Sequence, residues 1–510
     1  MSAVDKIFED GWERLKPYIE DLDVSPSLPK DRMLEIGEQI LADHVGAEQH
    51  RITVRTRNSL KRGPIDPRIA SWARVSSTPG GNRGCFSWIK PPCSYARDGH
   101  PCRGCGLSDP TFNAQASSFE DQLAALEDGL SRINGTGMLI TTFEFLPDGS
   151  FLNDKEISLQ VRKGMLRKIS QEKNIQRVAI EARPEDCDSM KIRECLSNLR
   201  EDQTLELYMG LESTNEMVSR VIHNKGYGFD EYKKAVRGIL EGLTPDEKKR
   251  LHLTVYNMVK PPYLTEDEAI NLSVETARDI KAFSLEVGIR IEVKYEPCVI
   301  TEGTYQHYLY LQGRYTPLSY FSVAEIIARL YEEGLDDMAK FGQRDDIDDY
   351  AIPARIGSLT HPGKFSRFDN DVSQAVQRFN MTKDIEGFKL DMRRAIESAE
   401  CKEWENLLSQ PSTLSRIVTP IGSEELTERE NFQDKVSGVC NQVENMSSET
   451  PDIMTGIVEL FREAGILVLM TRDPKVVEEI DNIGLLIEVV IANEEGNSQS
   501  VWMKIPSGFI

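Results

Sequence analysis

The chain has 510 residues, 39% of them hydrophobic and 28% charged, with a formal net charge of −22. That length exceeds one ordinary core, so two or three domains are expected. The acidity excludes a general nucleic-acid footprint, no apolar run approaches the roughly 20 residues that cross a bilayer, and an odd count of nine cysteines argues against a closed disulfide framework. The first twenty residues are charged and helix-like, with no apolar signal core, so a cytoplasmic chain with reduced thiols is expected.

Residues 1–50 read as two amphipathic helices split by Pro26 and Pro29. Residues 51–117 are rich in Pro, Gly and Arg and read as irregular, and so long a segment calls for a reason such as holding a metal. From Arg51 to Lys90 there are nine basic residues against the single acid Asp66. Such a stretch tracks phosphates or packs against the acidic body. Cys93, Cys102 and Cys105 follow, with eight residues between the first pair and two between the second. Three thiolates hold three irons of a 4Fe–4S cube and leave the fourth iron open to a substrate or cofactor. A structural zinc is the alternative, with Cys85 as fourth ligand, although only one CxxC pair is present.

From residue 118 onward helices and strands alternate. Helix 118–133 carries Leu123, Leu126 and Leu130 on one stripe. Strand 137–145, helix 157–173 and strand 177–182 come next, then a further helix and strand 205–211. Helix 231–243, strand 251–259, helix 266–287, strand 289–295 and helix 323–334 complete the series. This order predicts parallel strands with right-handed crossovers, closed into a barrel or left as an open part-barrel, with chemistry at the C-terminal strand ends. Residues 335–450 read as polar and mostly helical, with the acid run 345–349 as a solvated loop. Helices 455–464 and 474–480 with strands 466–469, 485–491 and 501–505 suggest a small α/β appendage. The expected divisions are 1–90, 91–334, 335–450 and 451–510.

The strand ends carry polar clusters. Gly149-Ser150-Phe151-Leu152-Asn153 follows the first strand and Glu181-Ala182-Arg183-Pro184-Glu185 the second. Gly210-Leu211-Glu212-Ser213 ends the third, with Asn224-Lys225-Gly226 on the next loop, and Lys260-Pro261-Pro262 and Glu296-Pro297-Cys298 follow the fourth and fifth. Behind a Cys-x8-Cys-x2-Cys cluster, this series resembles the radical S-adenosylmethionine (SAM) superfamily. Within it, the series is most similar to the branch of the elongator catalytic subunit and the archaeosine-forming radical SAM lyase. The likeness runs from about Cys93 to Leu330.

The resemblance implies an α/β fold: a radical SAM partial (β/α)6 barrel with an N-terminal helical extension and a C-terminal helical plus small α/β region. It implies a 4Fe–4S cluster on Cys93, Cys102 and Cys105, with SAM chelating the open iron. One electron, from a donor such as flavodoxin or ferredoxin, then yields a 5′-deoxyadenosyl radical that takes hydrogen from the substrate. By the same resemblance, Gly149 and Ser150 sit by the methionyl part of SAM, Glu181 and Arg183 frame the cofactor, and Glu212 and Ser213 reach the ribose. Lys260 pairs with the methionyl carboxylate or with substrate. Gly104 stands where many relatives place an aromatic over adenine, so its backbone meets the base and a stacking surface comes from elsewhere, Leu107 or Tyr95. Cys298 is a hydrogen-atom donor on this reading and a buried small residue on the plainer one. The plainer reading of Glu181, Arg183 and Glu212 is a buried ion-pair network, and of Gly149 a simple turn. A small-molecule substrate is expected, because the body is acidic and no RNA-binding domain is evident. tRNA modification through residues 51–90 is the alternative, and a non-catalytic metal scaffold is the third reading.

Overall fold

A computed structural model of the chain describes residues 27–61, 66–69, 72–78, 81–98, 102–105, 117–298, 300–301, 303–312, 314–315, 318–342, 367–397 and 399–408, and the strands 467–469, 485–492 and 498–505. The expected helices before residue 27 and at 455–464 and 474–480, the acid run 345–349, and Leu107 lie outside the described residues. The chain forms two compact units, 1–413 and 414–510.

The first unit is built on one open eight-stranded sheet whose strands lie in chain order. These are β1 (Trp72–Thr78), β2 (Gly81–Ser87), β3 (Ile140–Phe145), β4 (Arg177–Ala182), β5 (Thr204–Glu212), β6 (Leu251–Val259), β7 (Ile291–Pro297) and β8 (Ala339–Phe341). β1 and β2 form an antiparallel hairpin, and each later strand pairs in parallel with the one before it. The fold is the expected α/β partial barrel. Its strands show why the sequence reads as it does. Along β5, Leu205, Leu207, Met209 and Leu211 are fully buried in the apolar core, while Glu206, Tyr208, Gly210 and Glu212 alternate onto the wall of the lumen. The helices that cover the outer face keep their caps: Thr265 opens Glu266–Val287 with a capping box, and Gly288 closes it at φ 68°.

Three elements differ from expectation. The helix expected to end near residue 50 runs Lys30–Lys61. Residues 51–61 contain no breaker, and Gly46 lets the helix approach the helix Tyr305–Leu311, because a Cβ there would come 2.2 Å from the Tyr308 hydroxyl. The β1–β2 hairpin falls in a stretch read as irregular. It has no apolar alternation to reveal it: β1 is mostly half-buried, and β2 turns Arg83 and Cys85 inward. The short strand β8 also lies in a region read as helical.

Beyond β8, helices Arg367–Thr382, Ile385–Ile396 and Ala399–Leu408 follow, and Val372, Phe379 and Phe388 join the barrel's core. In the second unit, strands Leu467–Leu469, Leu485–Ala492 and Ser498–Ile505 form an antiparallel sheet in which the last strand is central. Among the described residues no helix is long and apolar enough to cross a membrane.

Candidate active site

At the C-terminal strand ends a cavity of about 310 Å³ opens into the barrel. Cys93, Cys102 and Cys105 all line it, together with Gly104, Gly149, Glu181, Arg183 and Glu212. The described cysteines form no disulfide. Among the described residues no group of three or more His, Cys, Asp or Glu side chains is gathered to grip a metal ion as it stands.

The cysteine-bearing segments are held from several sides. Arg51, 1% exposed on helix Lys30–Lys61, donates to the carbonyls of Cys102 (3.1 Å) and Cys105 (2.7 Å). Arg103 donates its backbone N–H to His223 and its guanidinium to the Val221 carbonyl. Behind Cys93, the buried carboxylate of Glu156 accepts from Ser94 N–H (2.8 Å), Ser94 Oγ (2.9 Å) and Ser150 N–H (2.9 Å). Lys90 Nζ stands 3.5 Å from it, and both side chains are almost fully enclosed. Burial, then the negative charge of Glu156, pushes the Cys93 thiol up. Gly149 is pressed against the same group: a Cβ there would lie 2.1 Å from Glu156 Oε2 and 3.2 Å from Cys93 Cα.

Arg183 is clamped beside the cysteines. It donates to the Lys225 carbonyl (2.6 Å), pairs with Glu185, and lies 4.0 Å from Cys102 Sγ. Its guanidinium stacks 4.0 Å over Tyr95 and 4.8 Å over Tyr227. Tyr95 is thereby engaged on one face and donates its hydroxyl to Asn224 O. Glu212 ends β5 at φ 70° and pairs through Oε1 with Lys225 at 2.6 Å, leaving Oε2 buried without a protein partner. Asp148, at φ 51°, also sits at a strand end. Left-handed backbone at such residues costs on the order of 1–3 kcal/mol and clusters at functional sites.

Four expected site residues lie behind the wall, outside the lining. Ser150 is fully buried; its hydroxyl accepts from Arg183 N–H at 3.3 Å. Ser213 turns to Thr276 and to the Asn215 N–H. Lys260 is locked in a buried pair with Glu266 at 2.6 Å, and Ser322 donates to the same carboxylate. Cys298 is 0% exposed, and burial pushes its thiol far up. At Gly104 a Cβ would come 2.6 Å from the Gln306 amide nitrogen, so a larger residue there would require the Gln306 side chain to shift.

The lining also holds Cys85, the alternative fourth ligand, and residues not anticipated from the sequence: Glu144, Asp148, His223, Tyr256 and Lys294. The signal for several was present as polar residues alternating with buried apolar ones on the strands. Glu144 accepts from Arg83 (2.7 Å) and from the Cys85 thiol (3.4 Å), while its Oε1 has no partner. Burial, then Lys225 and Arg103, lowers His223 to about 3, so it is neutral, with Nε2 unpartnered. Burial raises Asp148 to about 7. Burial, then the Glu144 charge, raises Glu181 to about 8, although Tyr256 donates to it at 2.9 Å.

The folded Glu181 carboxyl therefore keeps its proton to about pH 8, against 4.5 when unfolded. The fold binds the extra proton between those values, so this group's contribution to stability is lost as pH rises from about 4.5 to about 8. Glu181→Gln is expected to melt higher than the parent at pH 9, on the order of a few kcal/mol, and to match it at pH 4. An identical pH dependence for the two proteins would mean that Glu181 is ionised in the fold.

The donor set suits the expected groups. Three cysteine thiolates around one cavity are soft ligands for an iron–sulfur cube. Glu144 Oε1 and Glu212 Oε2 offer buried acceptors to an ammonium or hydroxyl, and His223 Nε2 offers a donor or an acceptor according to its tautomer.

No family model matches the chain. Archaeosine synthase subunit beta of Methanosarcina acetivorans is 23% identical over 362 residues, 70% of this chain and 94% of that protein. The protein of the same name from Thermococcus kodakarensis is 24% identical over 295 residues, 58% of this chain and 83% of that protein. Among solved structures, the radical SAM methyltransferase TsrM of Kitasatospora setae, with tryptophan and a SAM analogue bound, matches 41% of this chain at 16% identity and a TM-score of 0.24. The chain spans about a third of TsrM, 34% of its length. The motif series behind the cysteines resembles that of the radical SAM superfamily, and the part-barrel is the fold expected from that resemblance. By sequence, the chain is similar to archaeosine synthase subunit beta.

Proposed function

We propose that the chain is a radical SAM enzyme that acts on a small molecule held in the barrel lumen. One observation carries this reading: Cys93, Cys102 and Cys105 line a single cavity with the polar residues of the parallel strand ends. The three thiolates would hold a 4Fe–4S cluster, which with SAM and one electron supplies a 5′-deoxyadenosyl radical for hydrogen abstraction. The chain's own residues do the rest. Arg183 presents fixed positive charge beside Cys102, suited to a carboxylate. Glu212 and Glu144 offer carboxylate oxygens without protein partners, and protonated Glu181 is a hydrogen-bond donor at neutral pH. Lys260 and Cys298, enclosed behind the wall, take positioning and packing roles in this reading.

The basic residues of the 51–90 stretch whose side chains are described support a small substrate over tRNA. Arg51 and Lys90 are buried, Arg74 and Arg83 line the cavity, and exposed Arg68 is paired with Asp66 at 2.9 Å. The name of the curated relatives favours the second reading, a tRNA nucleoside as substrate. Protein reconstituted without oxygen is expected to be brown, to carry about four irons and four sulfides per chain, and to release 5′-deoxyadenosine from SAM when reduced. A colourless protein with one zinc per chain and no turnover would sink the proposal. Tight tRNA binding that weakens steeply with salt would move the substrate to the second reading.

A further inference from the structure

The lumen does not end at the cysteines. A second cavity of about 430 Å³ lies at the N-terminal strand ends, and Arg83, Tyr208 and Lys294 line both spaces. Five cations face this lower chamber, Arg83, Arg177, Arg290, Lys294 and Lys340, against the carboxylates of Glu206 and Glu292. The chain as a whole carries −22, so this is a local inversion of sign.

The two carboxylates are already countered. Lys340 Nζ lies 2.9 Å from Glu206 and 2.6 Å from Glu292, and Arg177 lies 3.5 Å from Glu206. Arg290 lies 3.5 Å from Glu292 and also pairs with exposed Asp337, while Arg83 pairs with Glu144 and Lys294 with Glu296 on the upper wall. The wall of the lower space itself thus carries five cationic side chains and two carboxylates, the remaining counter-charges lying outside its lining. Two groups register its field. Burial alone would raise Glu206, yet Lys340 and Arg177 bring it down to about 2. Burial, then Arg177, lowers His252. A purely structural ion-pair network packs its side chains against one another. This one surrounds a void within the usual ligand-pocket range of about 300–1,000 Å³.

We propose that the lower chamber binds the polyanionic end, a phosphate ester or polycarboxylate, of the molecule whose other end faces the cysteines. Tyr208 and Glu212 mark the two levels on β5, ~13 Å apart at about 3.3 Å per residue, a span that an extended nucleotide-sized molecule covers. The anion site stands on its own charges; only what lies at the ligand's far end rests on the radical SAM reading.

The test is calorimetric titration of the full chain at low salt, with neither SAM nor reductant, using inorganic pyrophosphate and, separately, citrate. One site per chain is expected, weakened at least about tenfold by Arg177→Gln and by Arg290→Gln. Tighter pyrophosphate assigns a phosphate-bearing ligand, and tighter citrate a carboxylate. Arg290 is more than half exposed, so Arg290→Gln carries the test if Arg177→Gln fails to melt cooperatively. Absence of binding by either probe below about 10 mM, or unchanged affinity in the folded variants, would overturn the assignment. Because SAM turnover is not read, failure here leaves the radical SAM reading standing, and the reverse holds equally.

Discussion

Serine in place of Cys93, Cys102 or Cys105 is expected to remove the bound iron and abolish 5′-deoxyadenosine release. Each lines the same cavity, and a cube with three protein ligands has none to spare. A hydroxyl at the same position is a hard, weakly acidic donor and a poor substitute for a soft thiolate. Cys85 gives the contrast. It lines the same cavity, but its thiol donates to Glu144 at 3.4 Å from β2, a strand apart from the loop that carries the other three. Cys85→Ala is therefore expected to keep its iron, whereas each of the three serine variants drops to background. Iron and acid-labile sulfide assays on the four reconstituted variants decide the matter. Equal loss in Cys85→Ala would mean a four-thiolate site, the arrangement of structural zinc, and would remove the open coordination position.

The contrast between strands explains what was legible. β4 is predicted at its observed bounds and β6 likewise, because a parallel strand covered by helices needs a continuous apolar outer face. Leu251, Leu253, Val255 and Val259 provide it on β6, and the intervening His252, Tyr256 and Met258 turn inward to the cavities. The hairpin β1–β2 has no such face to announce it. It closes one edge of the sheet yet sits in a stretch whose Pro, Gly and Arg content reads as loop. The cysteines are legible because their spacing carries the chemistry. Arg51 is not: it is one of nine basic residues in its stretch, and its partners are carbonyls more than fifty positions away. Lys260 shows the reverse case. Its place at a strand end suggests contact with a ligand, while Glu266, six residues on at the start of a helix, captures its ammonium.

Glu156 is the residue that sequence alone could least reveal, one acid among 83, and its loss is expected to cost most in stability. Its carboxylate joins the segment after Cys93, the Gly149–Ser150 turn and Lys90, all from positions that local pattern does not connect. Glu156→Ala leaves the Lys90 ammonium enclosed without its counter-charge, and breaking such a buried pair costs about 3–5 kcal/mol. The orphaned N–H groups of Ser94 and Ser150 add to that, at roughly 1–3 kcal/mol for each left unsatisfied. For a unit of 413 residues the first term alone lowers the melting temperature by roughly 5 °C. Because the same contacts set the backbone on either side of Cys93, iron retention is expected to fall as well. Lys90→Met with Glu156→Gln supplies the control, since it removes the stranded charge together with its partner. Recovery of about half the lost stability in that double variant marks a coupled pair. Additive losses, or a Glu156→Ala protein that melts like its parent and holds its iron, would show that the carboxylate neither braces the cysteine loop nor balances Lys90.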